Sequence, residues 1–229
     1  NKKRGVLYMS KIKKNIDVDI VGSRSLEEHF NIVWSSGVSP WKFTRDSIVS
    51  TKKSILLPIF DNIDSVLDLG CGGGEFLSFV LEGSDVRGGI YKVGVDIAEL
   101  AVINARNLKL YDELFTEDIQ KFLIGCDRAF DLIMLNEVLY YQKDYIKILS
   151  MMNIKIGGYL FLSVAMGDDF FNNKDLLKIK KKLSENYNLV AEKKINYTIY
   201  KIPWKWIKNC IPWIKASQTH KIIFIFQKK

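Results

Sequence analysis

Residues 66–76 read VLDLGCGGGEF. An apolar run ends at Asp68, and four glycines follow within five positions, at 70, 72, 73 and 74. Backbone this bare lets a ligand or another chain segment come close, because no Cβ stands in the way. Three ligand classes use such a turn between a strand and a helix: dinucleotides, nucleotide phosphates, and others that need a different spacing. A phosphate-binding P-loop ends in Gly-Lys-Ser/Thr, whereas Gly74 is followed by Glu75 and Phe76. A dinucleotide fingerprint begun at Gly70 needs a third glycine where Glu75 stands, and begun at Gly72 it needs one where Leu77 stands. The spacing is instead Asp68-x-Gly70-x-Gly72-x-Gly74. An acid ahead of bare glycines suits a ligand with a cationic amino-acid end, such as S-adenosylmethionine. The competing reading is a turn that merely packs a strand against a helix.

Outward from this turn, short apolar runs alternate with helix-like segments. SVLDLG (65–70), YKVGVDI (91–97), FDLIMLN (130–136) and GGYLFLSVA (157–165) read as buried strands, and ELFTEDI (113–119) as a weaker one. EFLSFVLEG, ELAVINARNLKLY and YIKILSMMNIK lie between them with the apolar spacing of helices. The alternation predicts a parallel sheet covered on both faces. After residue 165, NKDLLKIKKKLSEN (173–186) reads as an amphipathic helix, and YNLVAEKKINYTIY and HKIIFIFQKK as an antiparallel pair ending the sheet. Residues 1–60 are expected to form a helical cap, and residues 61–229 the main domain with an inserted segment at 200–220.

The 229 residues carry a formal charge of +8, unevenly spread. Six basic residues and no acids lie in 1–14, and nine lysines and no acids in 193–229, which leaves residues 15–192 at −7. A protein that grips nucleic acid more often rings its cleft with positive charge, so nucleic acid is not the expected partner. Cys71, Cys126 and Cys210 are isolated and odd in number, which supports neither a disulfide framework nor a metal site. This cysteine usage, with no signal-peptide pattern in NKKRGVLYMS and no long apolar run, fits a cytoplasmic protein.

Asp96 ends the second strand 28 positions after Asp68, where a carboxylate accepts ribose hydroxyls or caps the next helix. Asp118 in TEDIQ is placed to accept from an adenine amino group, with a solvated loop acid as the alternative. In order and spacing, VLDLGCGGGEF, VGVDIAELAVINAR, TEDI, FDLIMLNEVLYY and IGGYLFLSV resemble the class I S-adenosylmethionine-dependent methyltransferases over about residues 60–165. The resemblance implies a Rossmann-like, seven-stranded, mostly parallel sheet with helices on both faces and an antiparallel last strand. It implies S-adenosylmethionine as cofactor, held by Asp68, Gly70, Gly72, Gly74, Asp96, Ile97, Asp118, Ile119 and Asn136.

NEVLYY (136–141) and EEHFNIVWSSGVSPWKF (27–43) are similar to the NodS-like methyltransferases, which modify an amino group on a sugar oligomer. Asp46 stands away from where that group's cap carries its acid, and the NPPY signature of adenine and glutamine methylation is replaced by NEVL. The expected acceptor is a small polar metabolite, a sugar or sugar-linked group, methylated on nitrogen or oxygen. The alternatives are an RNA acceptor and a cofactor-binding subunit without turnover. Glu137 is a candidate to orient an acceptor amine or remove its proton, and His29 a second candidate base. Trp41, Tyr140 and Tyr141 are candidates to wall the acceptor pocket. The segment YKIPWKWIKNCIPWIKASQTH (200–220) mixes lysines with Trp204, Trp206 and Trp213. It reads as a loop over the acceptor pocket, as a subunit contact, or as a peripheral contact with an anionic membrane or lipid-linked acceptor.

Overall fold

The computed structural model describes residues 25–35, 47–83, 89–167, 170–201 and 215–229, with side chains omitted at 197–201 and 215–219. Trp41, the basic stretch 1–14 and the three tryptophans of the 200–220 segment lie outside the described residues. The elements run α1 (Leu26–Ser35), α2 (Ser47–Phe60), β1 (Ser65–Leu69), α3 (Glu75–Leu81), β2 (Tyr91–Asp96), α4 (Glu99–Asn107), β3 (Glu113–Thr116) and α5 (Ile119–Gly125). Then come β4 (Phe130–Asn136), a 3₁₀ turn (Leu139–Tyr141), α6 (Tyr145–Met151), β5 (Ile154–Met166), α7 (Asn173–Ser184), β6 (Tyr187–Lys201) and β7 (Lys215–Lys228).

The strands form one seven-stranded sheet in the order β3-β2-β1-β4-β5-β7-β6. β1 to β5 pair in parallel, and β7 runs antiparallel to both β5 and β6. This is the parallel sheet that the alternating pattern predicts and the Rossmann-like, mostly parallel architecture that the resemblance implies. β1 is flanked on both sides and covered on both faces, so all five of its residues are buried. Alternation along it divides the core. Leu67 and Leu69 face a cluster with Ile119, Phe122, Ile148, Leu149 and Ile179 from α5, α6 and α7. Val66 faces a second cluster with Leu56, Ile59, Phe60, Phe76 and Leu77 from α2 and α3.

Strand order reverses between β1 and β4, and in open α/β sheets the crevice outside the strands' carboxyl ends at such a point takes the ligand. α1 is started by a capping box: Glu28 N–H donates to Ser25 Oγ at 3.1 Å, and Ser25 N–H donates to the Glu28 carboxylate at 3.3 Å. It packs on α4, and α2 packs on α3. β5 pairs with β7 as far as Met166↔His220, but β6 and β7 stay paired to Lys201↔Lys215. The last five pairs extend as a two-stranded ribbon of about 17 Å beyond the end of β5, on the crevice side of the sheet. No described helix is long and apolar enough to cross a membrane.

The second core cluster depends on Phe161, which is fully buried on β5 and stacks on Phe76 at 6.0 Å between ring centres. Phe161→Ala is expected to lower the unfolding free energy by about 3–5 kcal/mol in denaturant melts. A loss below about 1 kcal/mol would show that this face tolerates the cavity.

Candidate active site

The glycine stretch turns sharply out of β1. Gly70, Gly72 and Gly74 have φ of +74°, +56° and +83°, a region in which side-chain-bearing residues are strained. Space reinforces the choice at Gly70, where a Cβ would stand 2.5 Å from Val138 Cγ2. The turn is tied to β2 on two levels. Gly70 and Cys71 N–H groups donate to the Val95 carbonyl at 2.7 and 3.0 Å. Gly72 N–H donates to Asp96 Oδ2 at 2.9 Å, and Ala98 N–H donates to Asp96 Oδ1 at 2.9 Å.

Burial raises the Asp96 carboxyl above its usual range, and the N–H groups of Ala98, Gly72 and Ile97 oppose that rise. Its two oxygens have about four lone-pair sites, so acceptor capacity remains for an incoming hydroxyl. Asp96 does not cap α4, whose N-cap is Ala98. Ile97 beside it is half-buried.

Asp68 sits beneath the turn at 3 % exposure, and Tyr111 donates its hydroxyl to Asp68 Oδ2 at 2.8 Å. The Tyr111 ring closes the space beside the glycines: its Cε2 lies 3.0 Å from where a Cβ on Gly74 would be. Burial pushes the Asp68 carboxyl up to about 7, the Tyr111 hydrogen bond lowers it, and the neighbouring Asp96 charge raises it. Asp118 caps α5, accepting from Gln120 and Lys121 N–H at 2.9 and 3.2 Å, and Ile119 beside it is buried. These residues line up at the carboxyl ends of β1, β2 and β3.

Beyond β4 the chemistry is ionic. Lys52 of α2 is only 2 % exposed and donates to Asn136 Oδ1 at 2.8 Å and to Glu137 Oε1 at 2.7 Å. Ser163 Oγ of β5 donates to the same Glu137 oxygen at 2.6 Å, and Lys221 Nζ of β7 lies 3.3 Å from it. Glu137 has φ +61°, and its N–H is held by the Ser163 carbonyl at 2.9 Å. Burial alone would raise the Glu137 carboxyl, but the Lys52 and Lys221 charges and the hydrogen bonds from Lys52 and Ser163 bring it down to about 2. Tyr140 and Tyr141 pack at 4.5 Å, Tyr140 meets Phe170 at 5.1 Å, and Tyr141 meets Phe30 of α1 at 5.1 Å.

α1 also brings Trp34 to the turn, 3.2 Å from where a Cβ on Gly72 would be. His29 is half-buried on α1, and its described contacts are local: its N–H donates to Ser25, and its ring meets Phe30 edge-on at 5.3 Å. Sequence reasoning missed Lys52, Trp34, Tyr111, Ser163 and Lys221. Lys52 had a readable signal, since it occupies an apolar-face position between Val49 and Leu56 in the α2 pattern.

A methyltransferase-domain family profile matches residues 41–201, and the chain belongs to that family. Its fold is that of the class I S-adenosylmethionine-dependent methyltransferases, and two solved neighbours of that fold hold S-adenosylhomocysteine. No curated protein sequence matches. Among solved structures, the N-methyltransferase NodS from Bradyrhizobium japonicum is similar at 17 % identity and TM-score 0.54, over 81 % of this chain and 99 % of that one. The Burkholderia thailandensis 1,6-didemethyltoxoflavin-N1-methyltransferase, solved with its acceptor and S-adenosylhomocysteine, aligns at 18 % identity and TM-score 0.59, over 89 % and 87 %. The plantazolicin methyltransferase BamL, solved with a triazolic desmethylPZN analogue and SAH, aligns at 12 % and 0.56, over 86 % and 95 %.

Two buried carboxyls displaced in opposite directions give the stability a signed pH dependence. Asp68 is raised from 3.8 to about 7, so the folded chain binds the extra proton and stability falls as pH rises between those values. Glu137 is lowered from 4.5 to about 2, so its contribution is full above 4.5 and is lost as pH falls toward 2. Asp68→Asn is expected to flatten the slope between pH 4 and 7 in denaturant melts and to leave the acid-side loss in place. An unchanged slope between pH 4 and 7 would count against the buried Asp68–Tyr111 arrangement.

Proposed function

We propose that this chain transfers a methyl group from S-adenosylmethionine to nitrogen or oxygen of a small polar metabolite, with a sugar or sugar-linked group as the acceptor class. The observation that carries the reading is the left-handed Gly70–Gly72–Gly74 turn, tied to the Asp96 carboxylate and set beside the Glu137 cluster. The names of the NodS and toxoflavin enzymes, which are N-methyltransferases, favour nitrogen. The bound cofactor supplies a methyl group activated by its sulfonium.

In this reading the chain's own residues bind and align. Gly70, Gly72 and Gly74 offer bare backbone to the methionine portion. Asp96 accepts from the ribose, Ile97 and Ile119 flank the adenine, and Asp118 accepts from its amino group. Asn136, whose Oδ1 is engaged by Lys52, holds the methionine end near the acceptor. Asp68 acts from below, through Tyr111 and the turn, because its exposed surface is too small for direct contact. α1 and α2 serve as a cap over the crevice, and Tyr140 and Tyr141 wall the acceptor side. Alignment of acceptor, methyl and sulfur is the main source of acceleration.

Calorimetry is expected to show binding of S-adenosylmethionine and S-adenosylhomocysteine and none of NAD. Asp96→Ala is expected to weaken that binding by about 1.5–3 kcal/mol, the range for hydrogen bonds to a charged group. Tight NAD binding, or unchanged affinity in a folded Asp96→Ala chain, contradicts the assignment.

A further inference from the structure

The donors around Glu137 do not share it evenly. Oε1 takes Lys52 at 2.7 Å, Ser163 at 2.6 Å and Lys221 at 3.3 Å, whereas Oε2, among the described residues, takes only the Tyr140 hydroxyl, at 3.4 Å. Three elements, α2, β5 and β7, converge on one oxygen and fix it. The other oxygen keeps lone-pair capacity for a further donor. The side chain retains 18 % exposure, so the cluster is not sealed. The next residue, Val138, packs against Gly70, which sets this carboxylate beside the glycine turn. The rings of Tyr140, Tyr141 and Phe170 lie alongside and offer apolar faces to whatever enters.

We propose that Lys52, Ser163 and Lys221 are positioning residues that pin Oε1 of Glu137 so that Oε2 accepts an N–H from the acceptor, and that the acceptor is a neutral amine rather than an alcohol. The inference rests on the methyl-transfer reading above and narrows it. A carboxylate held so firmly as an anion is a poor proton acceptor. An alcohol must lose its single proton to become a good nucleophile. An amine can donate one N–H to Oε2 and still aim its lone pair at the methyl group. In the step, that lone pair forms the new N–C bond as the S–C bond breaks, and the S–C electron pair stays on sulfur. The nitrogen becomes cationic, keeps its proton through the step and sheds it to water after release. As charge builds on nitrogen its N–H becomes more acidic, so the hydrogen bond to Glu137 strengthens in the transition state.

The test uses the full chain, methyl-tritiated S-adenosylmethionine and matched probe pairs: 2-phenylethylamine with 2-phenylethanol, and glucosamine with glucose. Transfer is expected to an amine and not to its alcohol partner, and the pH limb of kcat/KM is expected to move with the pKa of the amine supplied. Glu137→Gln should lower kcat/KM about 100-fold with S-adenosylhomocysteine affinity unchanged. Lys221→Met should raise KM about tenfold and bring a new acid-side limb into the profile as the Glu137 carboxyl rises, and Lys221→Arg should restore both. Transfer to the alcohols, a limb that ignores the amine and vanishes in Glu137→Gln, or a Lys221→Met profile identical to wild type would each overturn the proposal. Cofactor binding with transfer to neither set overturns it and leaves the cofactor reading standing. Absence of S-adenosylhomocysteine binding takes both down.

Discussion

The hydrogen bond from Gly72 N–H to the Asp96 carboxylate, 2.9 Å long, joins the two halves of the crevice floor. A turn with three left-handed glycines has little intrinsic preference for one shape, because glycine loses more conformational freedom on ordering than any other residue. Something outside the turn has to hold it. Asp96 does so from the end of β2 and Val95 from within that strand, while Tyr111 and Asp68 support the turn from beneath. The same carboxylate that orders the turn sits where a ribose is expected. In the proposed reading, ligand binding and turn geometry therefore share one group.

A second constraint acts across the crevice. Lys52 is a charge almost without solvent, and such a charge is tolerated only with close partners. Its partners, Asn136 and Glu137, stand at the end of β4, and Glu137 is in turn shared with β5 and β7. The cluster fastens α2 to β5, β7 and the end of β4. Glu137 adopts φ +61° at this junction, a conformation that persists only when its surroundings fix it. The glycine turn is thus held by backbone donors on one carboxylate, and the end of β4 by ammonium groups on another.

Much of the sheet could be read directly because its signals are local. β1 and β4 are short apolar runs, and they appear at 65–69 and 130–136, where the pattern places them. The glycine register, Asp96 and Asp118 were legible for the same reason: each follows a strand at a fixed offset. β5 and β7 begin before their apolar runs in the sequence, at Ile154 and Lys215, and strand pairing orders the added residues. α5 went unrecognised because its seven residues span less than two apolar repeats. The Glu137 cluster was half-legible. Glu137 follows a strand, but Lys52 and Lys221 lie 85 and 84 residues away from it on either side, and only the folded topology brings them together. A lysine within an apolar pattern reads as an exposed interruption until its partner is known.

Amide hydrogen exchange with and without S-adenosylhomocysteine tests the central claim most directly, that the glycine turn and the adjoining strand ends form one cofactor platform. The account predicts slowed exchange concentrated at residues 70–74, 96–98, 118–119 and 136–138, with little change along the β6–β7 pair. Protection that spares the glycine turn, or that centres on another part of the chain, would contradict it.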